Sequence, residues 1–515
     1  MRFTSLIRHS LFLMTLLFIV AFFPRFYLLS EAEIYPDEIT WTVRSKEVFQ
    51  ALRQPNYAYF SEAWWNKKTD TEATALPLTL AGGLSMRLFG QTVSTHSFKL
   101  LSDIDAVRLP VVILSSIFIV LFFFYLRQLV EPKIAFLVAL LLALDPILLA
   151  LSRWGLNDSL LTIFTSLSLI SFLVDVKKQR LTPIPGIFLA LSFLTKPNGL
   201  VPLVGWILMI ILYREQKRIY IFILNLSVFA VLVFLLWPSM WTNPVYFFEY
   251  LIRQTQLTQS GIANYFLGVT TNNPPFYYYL FQIGTRLPPL IVIGFLGIAV
   301  TVISHIYKFR ALKKFILDRP ERMVIIIYFI LFYFVIALTP KKLGVRYVLP
   351  LWPWIYLGCV LWWEKIAKYS PRYTLYLFSA LIFLSLYIYV IYTPKLYLYY
   401  NFFIGGPTAA QSYDLPNLCL GAKSTAAYIN SFYPYISKIT YLGCGSTTFP
   451  YYSGVPITTN IQDKSDLIIL EDAYMKLKPN EPSIKYIHFL TPLAIISEKG
   501  VILSRIYSAN FKHEF

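Results

Sequence analysis

Ile34-Tyr35-Pro36-Asp37-Glu38-Ile39-Thr40-Trp41 follows directly on the first long apolar run of the chain, which fades out around Leu29. An apolar run of that length crosses a bilayer, so this pair of adjacent carboxylates sits just past a membrane boundary. The run opens with Arg2 and Arg8. It is too long for a signal peptide and lacks a small-residue cleavage site, so it reads as a retained first helix. The two arginines place its start in the cytoplasm and Asp37 on the outer side.

The rest of the chain has the same character. Of its 515 residues 57% are hydrophobic and only 14% are charged, against about 25% in soluble domains. Further apolar spans come at 107–126, 133–150, 158–174, 183–196, 197–213, 219–238, 286–306, 323–339, 346–363 and 373–393. With the first helix they make about eleven by the length rule. The pair at 183–213 is broken at Pro197-Asn198-Gly199, which predicts a re-entrant hairpin or two short helices.

A net charge of +18 would suggest nucleic acid on a soluble protein. Here the Lys and Arg clusters fall in loops on one side: Lys177, Lys178 and Arg180; Arg214, Lys217 and Arg218; Lys308 through Arg322; Lys365, Lys368 and Arg372. The positive-inside rule accounts for all of them. An odd number of spans then leaves the C-terminus outside. The expected fold is an all-α polytopic membrane protein, residues 1–393. Its first outer loop (30–105) carries two interfacial helices, Glu38 to Leu52 and Leu76 to Phe89, with Trp41, Trp64 and Trp65 at the membrane surface. A second outer loop covers 239–285. Residues 394–515 form a small extracytoplasmic α/β domain, with strands at Ile436 to Tyr441, Asp466 to Leu470, Ala494 to Ser497 and Val501 to Ile506 and a helix at Ser424 to Phe432.

Cys359 lies in an apolar run and reads as a packed thiol, whereas Cys419 and Cys444 are free to pair if their segment is outside the cell. No C-x-x-C or histidine cluster marks a metal site. No cofactor is called for; a divalent metal is possible, but the sequence shows no ligand set for one.

Once orientation is set, Arg153, Lys196, Arg253, Arg286, Lys341, Lys342 and Arg346 fall at outer helix ends, against the inside bias. Charges there are costly and point to anionic partners, such as a phosphate. Acidic residues at the same level are few: Asp37, Glu38, Asp145 and Asp158. A partly desolvated carboxylate suits a general base for an acceptor hydroxyl. Plainer readings stand beside these. Asp37, Glu38 and Asp158 each suit a helix cap, Asp158 also suits an ion pair with Arg153, and Lys341, Lys342 and Arg346 suit lysine and arginine snorkelling. Asp103-Ile104-Asp105 reads as a solvated lead-in to the second span rather than a metal motif. Phe276 to Tyr279 reads as interface belt or sugar platform, and Asn272-Asn273 just before it is unusually polar.

These pieces resemble, in order, the GT-C membrane glycosyltransferases, closest to bacterial relatives of the dolichyl-phosphate-mannose protein mannosyltransferases and of the lipid A aminoarabinose transferase. Asp37-Glu38 resembles the family's acidic pair; Ser152-Arg153 with Asn157-Asp158 its Arg and Asp before the fourth span; Phe193-Leu194-Thr195-Lys196-Pro197 its Thr-Lys turn. Trp237-Pro238 with Trp241-Thr242-Asn243-Pro244, then Pro274 to Tyr279, then Arg346-Tyr347-Val348-Leu349-Pro350 complete the set. Where eukaryotic members carry His-Pro-Pro, this chain reads Glu72-Ala73-Thr74-Ala75-Leu76-Pro77-Leu78, and 239–285 has no room for their extra sugar-binding-type domain.

The resemblance implies a multi-pass enzyme of the cell membrane that moves a sugar from a polyprenyl-phosphate-linked donor to an acceptor hydroxyl on protein, lipid or glycan. It implies catalytic Asp37, Glu38 and Asp158. Arg153, Lys196, Lys341, Lys342 and Arg346 are the candidates for donor phosphate, and Tyr35, Asn272, Asn273 and Tyr277 for lining the substrate. The alternative is a transporter or flippase of lipid-linked sugars. Such a protein should place charges near the midplane in repeat-related broken helices; here they gather at one face.

Overall fold

The structure, a computed structural model, describes residues 2–53, 75–91, 100–213, 215–237, 240, 244–306, 320–367, 371–416, 419–488 and 490–509. Trp64, Trp65, Glu72 to Thr74, Arg214, Pro238, Trp241 to Asn243, Lys308 to Arg319 and Lys368 lie outside these.

The chain is mostly helical. Among the described residues three helices are long and apolar enough to cross a membrane: Asp103–Leu126, Asn157–Lys178 and Arg218–Leu236. Eight further apolar helices run 10–17 residues. Several are short because runs that look continuous by hydropathy contain breaks. The 133–150 run becomes Pro132–Ala143 and Pro146–Leu151, because the Asp145 carboxylate accepts from Leu148 N at 2.6 Å and starts a new helix. The 286–306 run begins only at Pro289, after Tyr278–Arg286 has ended ahead of Pro288. The 183–213 pair resolves into Ile184–Thr195, a 3-10 turn at Pro197–Leu200 and Pro202–Leu212, the two-short-helix alternative.

Asn157–Lys178 is the axis of the bundle. Every residue from Asn157 to Val176 is buried. It packs against Asp103–Leu126, Ile184–Thr195 and Pro202–Leu212. Several of its hydroxyls bond back along the helix: Thr162 donates to Asp158 O at 2.9 Å and Thr165 to Leu161 O at 2.7 Å. Bonding to the carbonyl one turn earlier is how a Thr hydroxyl is satisfied in a buried helix. Asp158 stands in its first turn. The outer helices keep exposed apolar faces, such as Ile219, Ile223, Phe234 and Leu235 on Arg218–Leu236.

The expected first outer loop supplies the helices Pro36–Arg53 and Leu76–Phe89, which pack on each other. The described residues of the expected second one hold helix Pro244–Gln259, hairpin β1 (Asn264–Phe266) and β2 (Val269–Thr271), then helix Tyr278–Arg286. The hairpin turns at Leu267 and Gly268, both at positive φ (50° and 85°), which a two-residue turn of this hand requires.

The last hundred residues hold a five-stranded sheet, ordered β4 (Ile457–Thr458), β3 (Ile439–Leu442), β5 (Leu467–Glu471), β7 (Val501–Ser508) and β6 (Ala494–Glu498). β3 is parallel to β4 and β5, while β7 is antiparallel to β5 and β6. One face packs Leu467 and Ile469 against Ala426 and Ile429 of helix Ala422–Phe432. The other packs Ile468 and Leu470 against Ile484 and Ile487. Both faces are covered, so β5 is apolar without alternation. Cys419 and Cys444 are joined as a disulfide, and Cys359 is a buried thiol.

Candidate active site

Asp37 and Glu38 begin one helix but part company at once. Pro36 opens the helix at a position that needs no N–H donor. Successive helical residues diverge by about 100°. Glu38 therefore turns inward and is 1% exposed, while the Asp37 side chain stays 48% exposed.

Glu38 is fully engaged. Its two oxygens take Nε and Nη2 of Arg108, each at 2.8 Å. They also accept from Gly155 N at 2.7 Å and Tyr35 N at 2.8 Å. Arg108 in turn donates to the carbonyls of Leu29 and Ala32 at 3.0 Å and of Glu33 at 3.1 Å. One buried guanidinium thus shapes the whole turn that delivers Asp37. Gly155 fits because a Cβ there would press on Val107 at 3.1 Å.

Asp37 faces Arg346, whose Nη1 donates to Oδ2 at 2.9 Å. Arg346 lies in the 3-10 segment Val345–Leu351, entered through Gly344 at φ 64°. Its Nε is 3.9 Å from Asp158 Oδ2. Asp158 Oδ1 is paired with Lys196 Nζ. Lys196 reaches it because the residue before Pro197 leaves the helix for extended backbone (φ −155°, ψ 145°). Asp37, Arg346, Asp158 and Lys196 form one chain of alternating charge, drawn from four separated stretches. Aromatic rings wall it: Arg346 lies 5.1 Å from the Tyr35 ring and Lys196 4.7 Å from the Tyr347 ring. Tyr35 also packs on Trp154 at 5.1 Å.

The other candidates lie elsewhere. Arg153 is buried and donates to the carbonyls of Leu28 and Pro394, tying the first helix exit to the last. Lys342 is buried with Nζ on Thr339 O at 2.9 Å, and Lys341 N donates to Thr258 O at 3.1 Å. Asn272 and Asn273 are exposed; Asn273 N donates to Thr271 Oγ1 at 3.2 Å. Tyr277 packs on Phe266 and Phe276. Asp145 accepts from Tyr356 Oη at 2.6 Å as well as capping its helix. Arg286 donates to the Tyr397 and Tyr399 carbonyls at 2.6 and 3.0 Å.

Arg108 is a site residue that the sequence reading does not single out, and the wall roles of Tyr347 and Trp154 are not read there either. Arg108 had a signal: it is a lone cation inside an apolar span, where a charge needs a partner. Among the described residues no group of three or more His, Cys, Asp and Glu side chains gathers in metal-binding geometry.

The arrangement offers one accessible carboxylate, a second, buried one, and two cations that can receive an anion. Comparison with known proteins bears on it. The sequence model of the dolichyl-phosphate-mannose-protein mannosyltransferases matches residues 91–241. No curated sequence matches the chain. ArnT from Cupriavidus metallidurans bound to undecaprenyl phosphate superposes with a TM-score of 0.51 at 14% identity, covering 98% of each chain. The Archaeoglobus fulgidus oligosaccharyltransferase in its apo form gives 0.51 at 12% identity, over 90% of this chain and 69% of the other. The same organism's AglB, in complex with an inhibitory peptide and a dolichol-phosphate, gives 0.51 at 11% identity, over 96% and 74%. The fold is that of the GT-C glycosyltransferases.

Proposed function

We propose that this chain is a membrane glycosyltransferase that uses a polyprenyl-phosphate-linked sugar. The observation that carries the proposal is the convergence of Asp37, Asp158, Lys196 and Arg346. It is supported by the undecaprenyl phosphate and dolichol-phosphate bound by structures of the same fold.

In this reading the site opens to the outer face. The N-terminus is cytoplasmic, residues 1–393 form the catalytic membrane part and residues 394–515 are extracytoplasmic. An acceptor hydroxyl of a protein, lipid or glycan approaches Asp37. Its oxygen attacks the anomeric carbon as Asp37 takes its proton, and the bond from that carbon to the phosphate oxygen breaks. The polyprenyl phosphate leaves with the electron pair, and Lys196 and Arg346 stabilise the charge it gains. Asp158 holds the two cations in place. Glu38 and Arg153 position backbone, as Lys342 does through its bond to the Thr339 carbonyl. Asn272, Asn273 and Tyr277 present polar and aromatic surface on the second outer loop to the arriving substrate.

The test is to incubate purified protein with a panel of polyprenyl-phosphate sugars and acceptors and to identify products by mass spectrometry. Transfer is expected from at least one donor. Asp37→Asn should lower it by about 10²–10⁴-fold while donor binding persists. No transfer from any donor, or wild-type rates in Asp37→Asn, would sink the reading.

A further inference from the structure

Glu33 lies four residues before Asp37 and faces two ways. Its carbonyl belongs to the membrane part: Arg108 Nη2 donates to it at 3.1 Å and Trp154 Nε1 at 2.9 Å. Its carboxylate, 2% exposed, belongs to the C-terminal α/β unit. Oε1 accepts from Gly421 N at 2.7 Å and Lys423 N at 2.9 Å, at the start of helix Ala422–Phe432. Oε2 takes Lys395 Nζ at 2.9 Å, and that ammonium is 3.4 Å from Glu498 of β6. The next residue continues the join, since Ile34 N donates to Tyr452 Oη at 2.6 Å. The Cys444–Thr447 turn of the same unit packs on the helix that carries Asp37.

A carboxylate at a helix N-terminus is favoured by the free amides and the helix dipole. Such a cap within one unit would be unremarkable. This one crosses from the α/β unit to the turn that delivers Asp37, across a sequence separation of 388 residues. Only Ile34, Tyr35 and Pro36 intervene, with Pro36 fixed in φ. That link is short and stiff, so a shift at Glu33 reaches Asp37 undiminished. We propose that Glu33 is a positioning residue, through which the docked C-terminal unit sets the place of Asp37 in the reaction. The proposal rests on the glycosyltransferase reading above. It gives the C-terminal unit a part in catalysis without a group at the reacting atoms.

Lys196 and Arg346 lie on other segments, so donor binding should survive loss of this contact while the chemical step should not. A misplacement of about 1 Å can cost about 10²-fold in rate. The experiment compares Glu33→Ala and Glu33→Gln with wild type in steady-state kinetics against donor. Glu33→Ala is expected to lower kcat by about 10–100-fold with donor KM within about threefold. Glu33→Gln keeps an acceptor for the two amides but loses the ion pair, and should fall between. A wild-type kcat in either folded variant, or a donor KM that rises in step with the loss of kcat, overturns the proposal. If Glu33→Ala does not fold, Glu33→Gln alone decides. Hydrogen exchange gives a readout that needs no activity. Amides of residues 29–40 should exchange faster in Glu33→Gln than in wild type, and unchanged exchange there counts against the coupling. A wild-type protein that transfers no sugar would remove the glycosyltransferase reading, with exchange still deciding whether Glu33 links the two parts.

Discussion

Arg346 donates to Asp37 at 2.9 Å across 309 residues of sequence, and its Nε faces Asp158 at 3.9 Å. One planar guanidinium thus serves both carboxylates. A lysine is a compact point charge without the rigid planar fork that holds this geometry. Arg346→Ala should lower kcat by about 100-fold or more, as loss of a transition-state donor does. Arg346→Lys should recover only part of that. Steady-state kinetics on the purified variants would show it, and a wild-type kcat in Arg346→Ala would remove Arg346 from the site.

Lys196 is expected to act on donor affinity. A charged hydrogen bond contributes about 1.5–3 kcal/mol, so Lys196→Ala should weaken binding of a polyprenyl phosphate by about 10–100-fold. The acceptor KM should hardly move. Calorimetric titration with the lipid phosphate separates the two, and an unchanged donor affinity would place the phosphate elsewhere.

Glu38 and Arg108 predict a stability effect rather than a binding effect. Both side chains are 1% exposed. Removing one partner of a buried ion pair costs about 3–5 kcal/mol, so Glu38→Ala should lower the melting temperature clearly, and Glu38→Gln less, because an acceptor remains. Thermal unfolding in detergent would record this. A Glu38→Ala protein as stable as wild type would mean that the backbone carbonyls and Asp105, 3.2 Å from Arg108 Nη1, suffice to hold the guanidinium.

Glu471 gives the C-terminal unit a pH dependence. Burial pushes its carboxyl up to about 7, against the donors Tyr441 Oη at 2.8 Å, Gly445 N at 2.9 Å and Cys444 N at 3.0 Å, which favour the ionised form. A carboxyl raised on folding stabilises most below its unfolded pKa and loses that contribution as pH climbs through the folded value. The unit should therefore be less stable at pH 8 than at pH 5 through this group, by on the order of 3 kcal/mol. Glu471→Gln mimics the protonated form. The gap between variant and wild type should favour the variant at pH 8 and close toward pH 5. A pH-independent difference in unfolding would refute the assignment.

The sequence made the main actors visible because each stands where its residue type is out of place. Asp37, Lys196 and Arg346 are charges at helix ends next to apolar runs, and Asp158 begins one. That the four meet was not visible, since the meeting depends on how the Asn157–Lys178 axis, the Lys196-Pro197 exit and the Gly344 turn are set in space. The division of labour between Asp37 and Glu38 was only half legible. Period alone says they diverge; the identity of Arg108 as partner needs a contact 70 residues away. Arg153 reads in the sequence as a candidate for donor phosphate or for an ion pair with Asp158, yet its hydrogen bonds go to backbone carbonyls, which leave no trace in a side-chain pattern. Glu33 had no signal, because its partners are mostly backbone amides of a distant segment. Apolar length likewise overstated continuity at Asp145 and Pro288, where single residues restart the helix.

Two carboxylates set against Lys196 and Arg346 cancel at a distance, so the cluster casts little field into the surrounding water. Beyond about 10 Å at 0.1 M salt little would be left of it anyway. A negatively charged lipid is then not drawn in through long-range steering of the kind that makes association rates fall steeply with ionic strength. On the proposed function the lipid-linked donor would arrive by lateral diffusion in its own leaflet and meet the charges only on contact. Productive encounter should accordingly depend on how much donor is dissolved in the bilayer, and hardly on the salt in the buffer.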